Sequence, residues 1–182
     1  MASSEDAVAS VAGLEPEAAY QAFMDERHAR IMDQIAEACS RSGRELCEVT
    51  AFAVSKTVGP REVVAAMRAG WDAFAENRPQ ELVRKLDAFA AAGVEAPRFD
   101  MIGNLQKNKI NQVLGRAERI QSISSLELAR AVSERAVRAG LVMPALLECN
   151  VSGEERVASR LMRFASRRRS SLASRALPSR AS

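Results

Sequence analysis

From Val49 to Cys149 the chain alternates short apolar, β-favouring runs with longer amphipathic ones, and this alternation constrains the fold more than anything else in the sequence. Strand-like segments fall at 49–55, 71–75, 98–102, 118–123 and 144–149, with helix-like segments between them at 60–69, 79–92, 107–114 and 126–139. The punctuation agrees. Pro60 and Pro79 stand in opening turns, Gly70, Gly93 and Gly140 stand at closes, and Ser125 occupies a cap position. Five βα-type units in succession predict a parallel sheet, because each crossover brings the chain back in the same direction. The polar strand ends then gather on one edge: Lys56, Glu76-Asn77, Gly103-Asn104, and Asn150 with Ser152-Gly153.

Such a series either closes into a barrel or opens into a doubly wound sheet. No GxGxxG follows the first strand, so the dinucleotide-binding open sheet is not supported. A closed (β/α)₈ barrel takes roughly 250 residues, with about 200 near its lower limit. The chain has 182. The expected fold class is therefore α/β, a partial (β/α)₈ TIM barrel of about five βα units. Ahead of it, residues 15–40 carry Tyr20, Phe23, Met24, Ile31, Ile35 and Ala38 at helical spacing, which predicts a helix laying one face on the domain. His28, the one histidine, reads as a surface group of that helix and leaves no histidine-based triad or zinc site.

Charge divides the chain. Residues 156–182 hold eight arginines and no acid, whereas the remainder is net acidic. The expected organisation is a disordered tail at 1–14, a barrel domain at 15–155 and a basic, disordered tail at 156–182. An arm for nucleic acid or an anionic membrane is one reading of the last segment. The preferred one is a frameshift, alternative splice or mispredicted gene end, since composition changes abruptly at a motif edge. The acidic start lacks an apolar core, so no secretory or transit signal is expected. Cys39, Cys47 and Cys149 are odd in number and lack metal-ligand spacing, which fits reduced thiols in a cytoplasmic protein with no metal.

Lys56 ends the first strand, where a parallel α/β protein carries its chemistry. An amine held against an apolar strand has its charged form disfavoured and can become nucleophilic toward an aldehyde. A lysine snorkelling off a strand end is the plainer alternative.

Four segments carry a family resemblance: Ala53-Val54-Ser55-Lys56-Thr57; Phe74-Ala75-Glu76-Asn77 with Gln80-Glu81; Ile102-Gly103-Asn104-Leu105-Gln106-Lys107-Asn108-Lys109; and Asn150-Val151-Ser152-Gly153-Glu154-Glu155. In order and spacing they resemble the pyridoxal phosphate homeostasis family, the YggS proteins of bacteria and the proline synthetase co-transcribed homologue of animals, over roughly residues 15–155. The resemblance implies a barrel like that of alanine racemase, with pyridoxal 5'-phosphate held as a Schiff base on Lys56 and with Asn77, Gly103 and Asn150 lining the site. Each lining residue has a local reading too: Asn77 as a helix cap, Gly103 as a tight turn, Asn150 as an Asx turn. Lys107 and Lys109 read as a solvated helix start rather than a phosphate clamp.

Departures are Asp100, where the family usually has His, and Arg78-Pro79 after Glu-Asn. Beyond Glu155 the family's later segments, including a phosphate-binding strand end, have no counterpart. The expectation is a mostly monomeric, non-catalytic carrier that is poorly stable alone and holds the cofactor weakly. A fold-type III racemase is the alternative. It needs a second acid/base, usually Tyr, and the only tyrosine is Tyr20 in the first helix.

Overall fold

A computed structural model describes residues 13–149. The elements run α1 (Ala18–Ser42), β1 (Ala53–Val54), α2 (Pro60–Arg68), β2 (Ala73–Glu76), α3 (Pro79–Ala91), β3 (Arg98–Met101), α4 (Ile110–Val113), β4 (Arg119–Ile123), α5 (Leu126–Arg138) and β5 (Ala145–Leu147). All four strand pairings are parallel, and the spatial order is β1-β2-β3-β4-β5. A doubly wound sheet would reverse that order at a switch point. Among the described residues this one never reverses, so it is the arc of a singly wound barrel.

The core lies between the sheet and its helices. Phe74 and Phe99 are register partners with ring centroids 5.7 Å apart, and they pack with Leu82 and Phe89 of α3 and Met101 of β3. Ile110, Val113, Ile120 and Ile123 continue the layer under α4 and α5. Each such side chain contributes about 1.5–3 kcal/mol by leaving water. The parity of β2 follows: Phe74 and Glu76 turn toward the helices, and Ala73 and Ala75 turn to the other face.

Three expectations need correction. The strand expected at 49–55 shrinks to Ala53–Val54, because pairing begins only where β2 lies alongside, at Ala53 opposite Phe74; ahead of it Leu46–Glu48 forms a 3₁₀ turn in which Glu48 Oε2 accepts the Glu45 N–H at 2.9 Å. Residues 107–114 split into a 3₁₀ turn at Lys107–Lys109 and the short α4. In α1 Tyr20, Met24, Ile31 and Ile35 are half-buried as expected, with Gln21, His28, Met32 and the buried Cys39 on the same side, but Ala38 is exposed and Phe23 is 50% exposed. His28 is thus a packing residue, edge-on to Trp71 at 5.1 Å and filling the space a Cβ on Gly70 would take.

Among the described residues β1 and β5 are the sheet's edges. Val54, Leu146 and Leu147 are each about half exposed there, and an apolar groove of about 350 Å³ runs between α5 and β5. No helix among the described residues is long and apolar enough to cross a membrane.

Candidate functional site

The carboxyl ends of β1, β2 and β3 bring three of the four expected site residues to neighbouring positions. Lys56 is the second residue past β1, in a turn closed by Val58 N–H donating to the Ser55 carbonyl at 3.1 Å. Asn77 directly follows β2, and Gly103 is two residues beyond β3. Asn150 lies outside the described residues.

Register explains the placement. Val54 pairs with Ala75, and the ladder continues as Ser55 N–H donates to the Ala75 carbonyl at 3.0 Å. One step on, Ser55 stands beside Glu76, its hydroxyl donating to Glu76 Oε1 at 2.7 Å; Lys56 and Asn77 are the next residues along the chain, leaving strands about 4.8 Å apart. Lys56 is exposed, and its amine has no hydrogen bond or ion pair with another described residue.

Asn77 is half-buried, and its Oδ1 is covered without a hydrogen-bond partner among the described residues. The N-cap of α3 is Arg78, with no side-chain cap bond, so Asn77 does not cap that helix. Against it sits Gly103. A Cβ there would lie 2.0 Å from the Asn77 carbonyl oxygen, so the ends of β2 and β3 approach closer than any other residue allows. Ser122 of β4 ties in the third strand end, donating from Oγ to the Gly103 carbonyl at 2.5 Å.

Asp100 is buried on β3, accepts from Gln121 Nε2 at 2.6 Å and lies 3.7 Å from Arg119 Nε. Lys107 is exposed and paired with Glu127, and its carbonyl accepts from Arg135. That agrees with a solvated helix start.

Sequence patterning gave no notice of a buried network beneath the site. Lys85 of α3 and Glu76 of β2 are both fully buried and form an ion pair. Lys85 Nζ also donates to the Ser55 carbonyl at 2.6 Å and reaches Ser55 Oγ at 3.3 Å, while Ser55 Oγ donates to Glu76 Oε1 at 2.7 Å. A signal existed. Lys85 falls in the apolar stripe of α3, three residues after Leu82 and four before Phe89, where a charge requires a buried partner.

A search against family models gave no match. The chain is 34% identical over 130 residues to a pyridoxal phosphate homeostasis protein of Aquifex aeolicus, covering 71% of this chain and 56% of that one. It is 32% identical over 126 residues to the protein of that name from Escherichia coli K12, covering 69% and 54%. The chain therefore spans about half the length of the curated relatives it matches. Among solved structures, an unknown protein from Bifidobacterium adolescentis superposes with a TM-score of 0.75 at 35% identity, over 87% of this chain and 67% of that one. PipY of Synechococcus elongatus, solved with pyridoxal phosphate bound, superposes with a TM-score of 0.61 at 24% identity, over 77% and 64%; at that identity the likeness speaks to the fold.

Fold and strand ends together define the class: an α/β protein built as an arc of a singly wound barrel, with a lysine at the end of its first strand. Within that class the chain is a relative of the pyridoxal phosphate homeostasis proteins.

Proposed function

We propose that this chain binds pyridoxal 5'-phosphate through Lys56 and serves as a carrier of the cofactor in its homeostasis, without catalysing a reaction of its own. The observation that carries this reading is the exposed Lys56 amine just past the end of β1, with no hydrogen bond or ion pair to another described residue, one residue beyond the Ser55–Glu76 contact. The names of the curated relatives support the same cofactor. When bound, the cofactor supplies an aldehyde carbon that an amine can capture with loss of water.

The residues present fit that group. Lys56 brings a free amine, and Asn77 brings an amide whose oxygen is unengaged among the described residues. The close approach of Gly103 fixes where Asn77 stands. Lys107 is engaged by Glu127 and does not serve the phosphate in this reading.

The absence of catalysis rests on Tyr20, the sole tyrosine. It lies in α1, outside the sheet, where burial and the Glu62 carboxylate push its phenol pKa up. No argument favours the racemase over the carrier. Binding is assigned to residues 15–155, with no role for nucleic acid at 156–182, and the free thiols Cys39, Cys47 and Cys149 suit a cytoplasmic setting.

An absorbance titration of the purified chain with pyridoxal phosphate tests this. A saturable change in the visible band that Lys56→Ala abolishes is the expected result. Equal titration of both proteins would sink the assignment.

A further inference from the structure

Ser55, Glu76 and Lys85 are buried one residue beneath the site, and they touch it through the backbone. Ser55 immediately precedes Lys56, and Glu76 immediately precedes Asn77. All of Ser55's polar atoms are engaged: its N–H with the Ala75 carbonyl, its hydroxyl with Glu76, and its carbonyl with both Lys85 and the Val58 N–H that closes the Lys56 turn. Lys85 in turn finds three acceptors for its three hydrogens, the Ser55 carbonyl, the Ser55 hydroxyl and Glu76 Oε1.

A buried ion pair is a weak source of stability alone, since apolar residues of similar volume often serve as well or better. What it supplies here is direction. The ammonium of α3 grips the carbonyl from which the Lys56 turn departs, so one helix, two strands and the turn are locked at a single atom.

We propose that the Glu76–Lys85–Ser55 network is a positioning device that sets the Lys56 turn. Glu76 and Lys85 are positioning residues: they act through Ser55 and do not contact the cofactor. Replacing the pair by apolar residues then separates fold from site, because the core is refilled while the grip on the Ser55 carbonyl is lost. The proposal concerns the site assigned above to the cofactor, and its consequences for uptake rest on that reading.

The test uses the full chain with Glu76→Leu and Lys85→Met together. Circular dichroism checks folding, and amide hydrogen exchange reads the turn at Val58 without any cofactor. The expected result is a folded protein in which Val58 exchanges at least about tenfold faster while Ile120 and Ile123 in β4 are unchanged. Pyridoxal phosphate uptake at Lys56 should fall by a similar factor, within the range that a displacement of about 1 Å costs a reacting group.

If the double variant does not fold, Lys85→Met together with Glu76→Gln is read the same way, since it removes the ammonium that grips the Ser55 carbonyl and leaves a neutral side chain of nearly the same shape in place of Glu76. Wild-type exchange at Val58 in the folded variant overturns the proposal. Faster exchange at Val58 together with no uptake by the wild-type chain leaves the positioning role standing and removes the cofactor reading instead.

Discussion

Gly103 shows how little freedom the strand ends have. Its missing Cβ leaves room for the Asn77 carbonyl, backbone against backbone, and neither side can swing away as a flexible side chain would. Gly103→Ala should therefore destabilise by at least about 1–3 kcal/mol, the usual cost of overpacking, which lowers the melting temperature by several degrees in a chain of this size. Gly93 is the control. It has φ +69 but nothing within 4 Å of a built Cβ, so Gly93→Ala meets backbone strain without a clash and should cost less. Equal melting temperatures for the two variants would contradict the close approach. This much was legible, because a glycine just past a strand end in a polar motif marks a tight turn or a close backbone approach. Lys85 was legible only in part: its place in the apolar stripe of α3 calls for a buried partner, but Glu76 and Ser55, which supply it, lie on two other elements that periodicity treats separately.

At the scale of elements, local chemistry sets most boundaries. Ser125 accepts the Leu128 N–H at 3.1 Å and starts α5 where the cap pattern places it, so Ser125→Ala should cost about 1 kcal/mol in a denaturant melt. The ends of α2, α3 and α5 fall within a residue of their sequence-based limits, since Pro and Gly mark them. β1 is shorter than its apolar run, Val49–Phe52 included, because pairing depends on a neighbouring strand that periodicity does not see. The inward face of α1 departs from its pattern only at Phe23 and Ala38, which are exposed, while Tyr20, Met24, Ile31 and Ile35 face inward with His28 and Cys39. Just ahead of α1 the chain is tied to α2, with Arg61 Nε donating to the Gly13 carbonyl at 3.1 Å and Arg68 bonded to Glu15 at 2.8–2.9 Å. The Arg68 hydrogen bond holds the Glu15 carboxyl below its usual range. A depressed folded-state pKa means the tie is present above the ordinary carboxylate range and lost as pH falls through the lowered value. Carboxyl titration by NMR should find Glu15 below the usual range in the wild type and returned to it in Arg68→Gln. Unchanged titration would remove the tie. The pair is solvent-exposed, so its effect on global stability should be small.

For the whole molecule, serial right-handed crossovers made a parallel sheet legible, and the unreversed order β1-β2-β3-β4-β5 adds that the sheet is wound in one sense. Closure was beyond reach of the same reasoning, since it depends on strand number and stagger rather than on any local pattern. Winding in one sense is what makes a shared site possible. It delivers Lys56, Asn77 and Gly103 from consecutive units to one rim, each strand about 4.8 Å from the next. The chemistry assigned to that rim depends on a single amine. Its most direct measurement is borohydride reduction of the chain with pyridoxal phosphate, followed by peptide mass mapping of the modified lysine. The account predicts one reduced adduct, on Lys56, with Lys107 and Lys109 unmodified at matching concentrations. An adduct spread over surface lysines, or undiminished in Lys56→Ala, would contradict it.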